Sequence, residues 1–335
     1  MKNWVKKLLK WGALLFLVGA LIAAIGFATL GFDIKNLSST KLEPHTVEIA
    51  NEEAIDRILL DFTTSDIQII YSDPAEKLAV TYTNRLNKNG KLLTSVKESI
   101  EGSSLILIEE NNLKNNFPFL NFEDPKVEVT VPKSRAVEFD IEVTTGDTRI
   151  NGMTSPTPIK IVATTGDIKI ESSVANAIEA ETSTGNISIT DTECEWINTK
   201  STTGDVAIRN TTAQSGIKTE ATTGDLYLRD VTAASITRNS GSGDIELCGS
   251  VKADSFICDT TTGDIDGNGG VLDALIINIE TTTGDTELYL AREQNEYSIF
   301  IDITTGDSNI KNQQGGTGEI NINTTTGDAE LYFGR

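Results

Sequence analysis

The sequence predicts an all-β protein: a parallel β-solenoid, or single-stranded β-helix, of about eleven 19–22-residue coils, with an N-terminal transmembrane helix. Two observations predict this architecture. The tetrapeptide Thr-Thr-Gly-Asp, or a close variant of it, occurs ten times between Thr144 and Asp328, always at intervals of 19 to 22 residues. The second observation is an uncharged and largely apolar run from Trp11 to Phe32.

The repeats are too short to be separate domains. A unit of about 20 residues cannot bury an apolar face alone, so neighbouring units must stack around one continuous core. One glycine marks the equivalent position in each repeat. These glycines are Gly146, Gly166, Gly185, Gly204, Gly224, Gly243, Gly263, Gly284, Gly306 and Gly327.

Each repeat is predicted to contain two short strands that flank its glycine. Apolar residues precede the glycine by seven, five and three positions, as Ile299, Ile301 and Ile303 do. They follow it by two and four positions, as Ile168 and Ile170 do. Alternation with period two is the pattern of a strand with one buried face. Consecutive coils should therefore pair in parallel, about 4.8 Å apart, with the Gly-Asp pair in a tight turn.

The apolar run near the amino end is predicted to cross a membrane. Residues 11–32 supply the roughly 20 apolar residues that a hydrocarbon core of about 30 Å requires. Four lysines precede this run within residues 1–10, and basic residues beside a first span are retained in the cytoplasm. We therefore expect a single-pass anchor in the cell membrane, a cytoplasmic amino end and an extracellular repeat region. A signal peptide cleaved near Ala24 is the alternative.

The rest of the chain divides into three parts. Residues 33–45 are predicted to form a stalk, residues 46–138 an irregular first coil with cap strands, and residues 139–335 the regular repeats. A first coil is predicted around Ser65, where the inward positions match and only the glycine differs. Beyond the coil of Gly327 the sequence offers no separate cap. We therefore expect an exposed parallel edge there. Self-association or docking of a partner through the C-terminal coil is one hypothesis, and blunting of the edge by its charged and aromatic residues is the alternative.

The predicted exported part is strongly acidic. All 49 Asp and Glu residues follow residue 32, against 24 of the 28 Lys and Arg residues, so this part has a net charge of −25. Such a surface repels nucleic acid, and also anionic lipids and wall polymers unless divalent cations bridge them. Three cysteines are too few for a disulfide framework, and Cys258 falls at an inward position, so free thiols are expected.

The residue after the glycine is Asp in nine repeats and Asn in one, at Asn186. Asn keeps the carbonyl oxygen but lacks the charge. This position is therefore predicted to stabilise the turn by hydrogen bonding, beside a glycine with positive φ. The predicted turn residues are Gly146, Asp147, Gly166, Asp167, Gly204, Asp205, Gly224, Asp225, Gly263, Asp264, Gly284, Asp285, Gly306, Asp307, Gly327 and Asp328.

A cation ladder is the alternative role for this acidic position, because stacked carboxylates repel one another by roughly 1 kcal/mol per neighbouring pair in water. Its candidate metal ligands are Asp205, Asp225, Asp244 and Asp264. Against it, Ca²⁺ takes about six to eight oxygens per site, and the glycine-rich nonapeptide of calcium-binding β-rolls is absent. No metal site is expected in the preferred interpretation.

The paired threonines before each glycine are predicted to face opposite ways. Consecutive strand residues point to opposite sides of a sheet, so one Thr of each pair should be exposed and the other buried in a hydroxyl ladder. This arrangement argues against a flat ice-binding face made of both threonines.

Enzymatic chemistry is not expected. The single histidine, His45, falls in the predicted stalk, and the inward positions are almost wholly apolar. Arg238 falls at an inward position beside Ser240, Gly241 and Ser242, and we expect a local bulge to turn it outward. No catalytic residue and no cofactor is predicted. Because some extracellular β-helices cleave acidic polysaccharides, a polysaccharide-acting enzyme stays an alternative.

The lysine-rich amino end, the single predicted span and the array of Thr-Thr-Gly-Asp-Ile-X-Ile coils resemble the putative adhesin family of bacterial β-solenoid proteins. That family includes the membrane-anchored LiaG-type proteins of Gram-positive bacteria. The resemblance covers nearly the whole chain from about residue 46. It implies a β-solenoid at the cell envelope, encoded in some relatives beside envelope-stress sensing systems, and it carries over no functional residues.

Together these observations predict a non-catalytic, membrane-anchored, extracytoplasmic β-solenoid that acts by surface interaction, as an adhesin or as a structural protein of the envelope. The expected partners are the membrane, through the N-terminal helix, and an envelope protein or a glycan, through the sides of the rod. Nucleic acid is not an expected partner. An accessory role in envelope-stress signalling is the main alternative, and glycan hydrolysis or calcium binding is a further one.

Overall fold

The structure is a computed structural model that describes residues 16, 18–21, 25, 28, 40–72, 77–87, 89–111 and 124–335. Its 22 strands belong to one continuous sheet. They are β1 Thr40–Thr46, β2 Arg57–Thr64, β3 Asp66–Ser72, β4 Ala79–Asn87, β5 Thr94–Glu101, β6 Ser104–Asn111, β7 Lys126–Pro132, β8 Glu138–Thr145, β9 Thr148–Asn151, β10 Ile159–Thr165, β11 Ile168–Glu171, β12 Ala177–Thr184, β13 Ile187–Thr190, β14 Glu193–Thr203, β15 Val206–Thr223, β16 Leu226–Ser242, β17 Ile245–Thr262, β18 Ile265–Thr283, β19 Thr286–Tyr289, β20 Tyr297–Thr305, β21 Gly318–Thr326 and β22 Ala329–Tyr332. Short 3-10 helices occur at Glu52–Ala54 and Gln294–Glu296.

The strands wind into an all-β parallel β-solenoid, which confirms the predicted fold class. Strands β8, β10, β12 and β14 stack in parallel before the turn, and β9, β11 and β13 stack after it. In the middle of the stack, β15 to β18 each run from one turn almost to the next, with register shifts where the chain bends.

The solenoid has about nine turns, not eleven. We call each repeat glycine and the residue after it a corner, and ten glycine corners enclose nine successive circuits of the chain. The predicted first coil at Ser65 exists, but it contributes only β2 and β3 before the chain leaves to build the cap. Counting corners therefore overestimated the number of turns.

A single apolar core runs through the stack because equivalent inward residues lie directly over one another. In one such column Phe139 pairs with Ile159, Ile159 with Ile178, and Ile178 with Ile197, and all four side chains are buried. Full burial of a side chain of this size contributes about 1.5–3 kcal/mol relative to exposure. The repeated apolar positions therefore hold the coils together and fix their register.

Irregular strands cover the first coil. On one side β7 pairs in parallel with β3, and β4 and β1 extend that edge in antiparallel fashion. On the other side β6 pairs in parallel with β2, and β5 pairs with β6 in antiparallel fashion. These five strands occupy the region predicted as the cap, together with part of the predicted stalk.

The prediction of a stalk over residues 33–45 is wrong for its last residues, because Thr40–Thr46 forms β1. Pro44 lies in this strand, which is compatible with its place at the outer edge beside β4, where a missing N–H breaks no ladder. Residues 33–39 lie outside the described part of the chain.

The predicted transmembrane segment, residues 11–32, also lies mostly outside the described residues. Those that are described, residues 16, 18–21, 25 and 28, are helical and exposed. Within the described part of the chain, no helix has both the length and the apolar character needed to span a bilayer.

The far end of the stack departs from sequence order. The coil of Gly327 lies between the coils of Gly284 and Gly306, because β21 pairs in parallel with β18 on one side and with β20 on the other. Strand β22 likewise pairs with β19. The last position in the stack therefore belongs to β20, and the prediction that the C-terminal coil forms the exposed edge is wrong.

The inward residues explain this exchange of order. Two residues after the corner, the coil of Gly306 has Ser308 where the coil of Gly327 has Ala329. Ala329 and Leu331 are buried, whereas Ser308 is exposed. Burying an unpaired hydroxyl costs about 1–3 kcal/mol by protein mutational data, so the coil with the polar residue belongs at the end of the stack.

Candidate functional site

The corners form a continuous hydrogen-bonded column along the stack. The repeat glycines have φ between 138° and 153°, and a side chain there would overlap the carbonyl oxygen of the preceding corner. The backbone N–H of each following Asp or Asn donates to the side-chain Oδ1 of the preceding corner, at 2.7–3.0 Å. Asn186 takes part like its acidic neighbours, since its amide oxygen accepts from Asp205 at 2.9 Å.

This geometry bears on the alternative of a cation ladder. Asp205, Asp225, Asp244 and Asp264 all belong to the corner column. Each uses Oδ1 as an acceptor for a backbone N–H, so one of its two oxygens is already engaged. Among the described residues, no group of three or more His, Cys, Asp or Glu side chains could hold a metal ion.

The threonine pairs do not divide between core and surface. In the first regular repeat both Thr144 and Thr145 are exposed, and the residue before them, Val143, is buried. The chain has already begun to bend at the corner, so strict alternation ends one residue early. In five other coils, the buried position three residues before the glycine, which Val143 occupies here, holds a side chain with a hydroxyl group. These residues are Thr182, Ser201, Thr260, Thr281 and Thr324.

Arg238 is not turned outward by a bulge; it is fully buried at its inward position, between Thr219 and Cys258 of the neighbouring coils. Its Nη2 donates to the carbonyl oxygen of Gly224 at 2.6 Å and to Ser240 Oγ at 3.3 Å. Nε and Nη1 have no partner among the described residues. Burial lowers the pKa of Arg238, and burial raises the pKa of Cys258 to about 12.

The other sequence candidates are structural. Cys194 and Cys258 are buried, Cys248 is partly exposed, and all three thiols are free, as predicted. His45 lies in β1, where its Nε2 is 3.0 Å from Glu98 Oε1. Its ring also packs against Tyr82, with centroids 5.0 Å apart, so His45 belongs to the packing of the cap.

A continuous run of carboxylates lies in the second half of the solenoid. Beside the corner column runs a second outward column, three residues after each glycine, in which Glu246, Asp266 and Glu287 are in register. With the adjoining corners these residues line a shallow groove. We call the nine carboxylates of the two columns the acidic face. They are Asp225, Asp244, Asp264, Asp285, Asp328, Glu246, Asp266, Glu287 and Glu330.

The unusual coil order completes the acidic face. In sequence order, Asn309 would follow Glu287 in the second column. In the structure the coil of Gly306 is displaced to the end, so Glu287 pairs directly with Glu330. The second column therefore holds an unbroken run of four carboxylates, beside five successive acidic corners. Among the described residues, none of the nine forms an ion pair with a basic side chain.

Aromatic side chains border the acidic face at its far end. Tyr289 and Tyr332 stack with ring centroids 4.8 Å apart. Their hydroxyls donate to Glu287 Oε1 at 2.7 Å and to Glu330 Oε2 at 2.6 Å. The bond to Glu330 raises the pKa of Tyr332 to about 12. Both phenols therefore stay neutral at physiological pH and orient the two carboxylates.

The same two columns are close to neutral in the first half. There Arg149, Lys169, Ser188 and Ala207 occupy the second column in register. Arg149 and Lys169 both bind Glu171, with nitrogen–oxygen distances of 2.5 and 2.9 Å. These bonds, led by the one from Lys169, hold the pKa of Glu171 below its ordinary value. In this half the second column therefore carries positive charge beside the acidic corners, and its two cations are paired with Glu171.

The acidic face can attract and orient cationic groups. Carboxylates spaced about 4.8 Å apart repel by roughly 1 kcal/mol per pair in water, and a bound cation relieves that repulsion. The corner position alone does not predict this face, because the two halves differ at the position three residues after the glycine. That position changes from Arg149 and Lys169 to an acidic run, and the change is visible in the sequence.

Comparison with known proteins identifies a family. A family model described as Toastrack DUF4097 matches residues 55–296 and residues 214–333. No curated protein matches the sequence.

Several solved structures resemble the chain. A putative adhesin from Bacteroides fragilis is 15% identical, with 86% of this chain and 97% of that chain covered and a TM-score of 0.39. A putative adhesin from Parabacteroides distasonis is 14% identical, with 75% and 96% covered and a TM-score of 0.44. A putative lipid binding protein from the same species is also 14% identical, with 75% and 94% covered and a TM-score of 0.42.

Proposed function

The chain belongs to the Toastrack DUF4097 family, and from this premise we propose that it is a non-catalytic protein of the cell envelope whose solenoid acts by surface interaction. Its acidic face is the contact surface, and its partner is cationic, such as a lysine-rich segment of an envelope protein. The solenoid is anchored to the cell membrane by residues 11–32 and lies outside the cell. This role corresponds to an adhesin-like or envelope-structural protein.

One observation carries the proposal: nine carboxylates in two adjacent columns, without a basic residue among them over five coils. The neighbouring coils of the same fold show that neither column needs to be acidic, because Asn186 is a corner residue there and Ser188 and Ala207 occupy the second column. Charge of one sign on a rigid surface increases the association rate of an oppositely charged partner and selects against like-charged ones.

The membrane anchor rests on the sequence. Residues 11–32 carry no charged side chain, and Lys2, Lys6, Lys7 and Lys10 precede them. Basic residues before a first span favour a cytoplasmic amino end, which directs the solenoid outward. Protease treatment of intact cells tests this orientation. Digestion of the solenoid from outside supports it, and full protection until the cells are lysed contradicts it.

Peptide binding tests the contact surface. In the full chain, the variant Glu246→Gln/Asp266→Asn/Glu287→Gln removes three charges from the acidic face. We expect it to weaken binding of a lysine-rich synthetic peptide at low salt by at least about tenfold, or about 1.4 kcal/mol. The matched control is Glu142→Gln/Glu179→Gln/Glu181→Gln, which removes three exposed carboxylates from the first half.

The two variants distinguish the effect of where the carboxylates lie from the effect of total charge, because each removes three negative charges. A loss only in the acidic-face variant supports the proposal. Equal losses in both variants, or no loss in either, contradict it. Binding of an anionic wall polymer that requires added Ca²⁺ would instead assign the face to bridging by divalent cations and would contradict a cationic partner.

A second candidate is an accessory role in envelope-stress signalling, through the spanning segment rather than the coils. The resemblance to LiaG-type proteins and the basic amino end before the apolar run favour it. A chain that lacks residues 139–335 separates the two functions. If the shortened chain keeps the cellular effect of the protein, signalling through the anchor is supported; if the effect is lost and replacing the anchor changes nothing, surface interaction is supported.

A further inference from the structure

The coil of Gly327 occupies a slot between two other coils. One wall of the slot is formed by β18 and β19 and the other by β20 and the residues after it. On the first side, Gly284 N–H donates to Thr326 O at 3.0 Å and Thr286 N–H to Asp328 O at 2.8 Å. On the second side, Gly327 N–H donates to Thr305 O at 3.0 Å and Ala329 N–H to Asp307 O at 3.0 Å.

We propose that this inserted coil, residues 318–333, is exchangeable between two copies of the chain, so that each copy fills the slot of the other. In such an exchange every contact inside the slot is kept, because the same residues meet the same walls. The monomer, in which the coil fills its own slot, and the exchanged dimer then differ in free energy only through the conformation of the hinge and the concentration-dependent cost of association.

A second copy of the same coil fits the slot, because it has the residues that the two walls require. An occupant needs a glycine at the corner, because a side chain there would overlap the carbonyl oxygen of Gly284. It also needs an Asp or Asn next to that glycine, since Asp328 Oδ1 accepts from Asp307 N–H at 2.7 Å. Small and apolar inward residues such as Ala329 and Leu331 must follow. Another copy of residues 318–333 meets all three requirements.

The segment that leads into the slot has the properties of a hinge. Residues 311–317 are exposed except for Gln313, and Gly315 and Gly316 both have positive φ, at 123° and 82°. A side chain at Gly315 would meet no atom within 4 Å. The turn at Gly315 and Gly316 can therefore change direction without loss of apolar packing, while Asn312 and Gln313 stay bonded to β20.

Simple pairing at the end of the stack is hindered along the first part of β20, which favours exchange over edge pairing as a route to self-association. Along β20, Ile299 exchanges backbone hydrogen bonds with Gln313 at 2.9 and 3.0 Å. Asn312 extends this cover with its side-chain amide, which accepts from Ile301 N–H at 2.8 Å and donates to Ile301 O at 3.2 Å. The edge strand is thereby covered by its own chain.

Mixed disulfides test the proposal. Asn278 and Asn321 are direct neighbours across the slot, with side chains hydrogen-bonded at 3.0 Å. One full chain carries Asn278→Cys and a second, differently tagged full chain carries Asn321→Cys, both with Cys248→Ser to remove the partly exposed thiol. The two are unfolded, refolded together at increasing concentration and mildly oxidised. We expect a disulfide between the two chains, in a fraction that increases with concentration.

Two controls make the test decisive. A single chain with both substitutions should form an internal disulfide at low concentration. The pair Asn278→Cys and Phe300→Cys should form none in either format, because β21 separates these positions by about 9.6 Å, beyond the roughly 7 Å limit for a disulfide. Deleting Gln314 and Gly315 shortens the hinge and should increase the mixed product several-fold.

An internal disulfide in the double variant without any mixed product, at any concentration, overturns the proposal. Absence of the internal disulfide overturns it as well, because the coil order would then be wrong. Neither result depends on the acidic face, since the three substituted asparagine and phenylalanine positions lie outside it, so peptide binding can succeed or fail independently.

Discussion

The two halves of the solenoid share an interior and differ on the outside. At equivalent corners, Gly166 and Gly263 have φ of 145° and 149°. At both, the carbonyl oxygen of the preceding corner leaves no room for a side chain. Three residues further on, the first half presents Lys169 and the second half presents Asp266. In a repeat protein the stacking positions fix the architecture and leave the outward positions free to diverge. The acidic face is therefore a property of the second half alone.

Substitution of the corner glycines should have the largest effect, and an equal one in both halves. We expect Gly166→Ala and Gly263→Ala each to cost about 3–5 kcal/mol in the free energy of unfolding, because the new Cβ overlaps the carbonyl oxygen of the preceding corner. Denaturant unfolding measures both. Gly315→Ala is the control, since its Cβ would meet open space; a comparable loss there would mean that the stacked corners are not the cause.

A matched pair of core substitutions should have effects of opposite sign in the two halves. Ile161 and Arg238 occupy the same inward position, five residues before their glycines, and both are fully buried. Ile161→Ala should cost about 2–5 kcal/mol through the cavity that it leaves. Arg238→Met should stabilise by about 1–4 kcal/mol, because it replaces a buried charge that has two unpaired nitrogens.

Thermal unfolding of the two core variants provides the measurement. A loss of several kcal/mol for Arg238→Met would show that the guanidinium contributes more through its bonds to Gly224 and Ser240 than burial of its charge costs.

Corner acids should tolerate loss of charge but not loss of the acceptor oxygen. Asp225→Ala removes the acceptor for Asp244 N–H and should cost about 1 kcal/mol. Asp225→Asn keeps the acceptor, as Asn186 does in the first half, and relieves repulsion from Asp205 and Asp244, so it should leave stability unchanged or slightly higher. Denaturant unfolding of the two variants side by side decides. Equal destabilisation would mean that the charge, rather than the hydrogen bond, holds the corner.

The smallest of these effects should be a loss of stability at low pH that arises from the ion pairs of Glu171 in the first half. The pKa of Glu171 is lowered by Lys169 and Arg149, so its ion pairs stabilise the fold above the ordinary carboxyl pKa and are lost as the pH falls through the lowered value. The stability of the protein relative to Glu171→Gln should therefore shrink as the pH falls from about 5 to about 3. A difference that is constant over this range would contradict the ion pairing.

The sequence predicts the stack well because the period, the glycine and the inward positions all follow from one requirement: equivalent residues of successive repeats lie over one another. The sequence was misleading about the order of the last two coils in the stack. Ser308 at an inward position of the coil of Gly306 was visible, but only the structure shows that the coil of Gly327 takes the buried place instead. A local bulge was predicted at Arg238, but the strand stays in register with both neighbouring coils there, so the guanidinium remains buried.

The acidic face was hidden for a related reason. Its second column appears interrupted by Asn309 when the repeats are read in chain order. Glu287 and Glu330 become neighbours only after the last two coils exchange places. The acidic face therefore depends on spatial order along the stack, which a linear comparison of repeats does not give.

Carboxyl footprinting tests the central claim most directly, that the second half carries the binding surface. The full chain is labelled with a carbodiimide with and without a bound lysine-rich peptide, and the labelled carboxylates are identified by mass spectrometry. Our account predicts protection of Glu246, Asp266 and Glu287, with Glu142, Glu179 and Glu181 of the first half unchanged. Uniform protection of both groups, or protection of the first half alone, would contradict it.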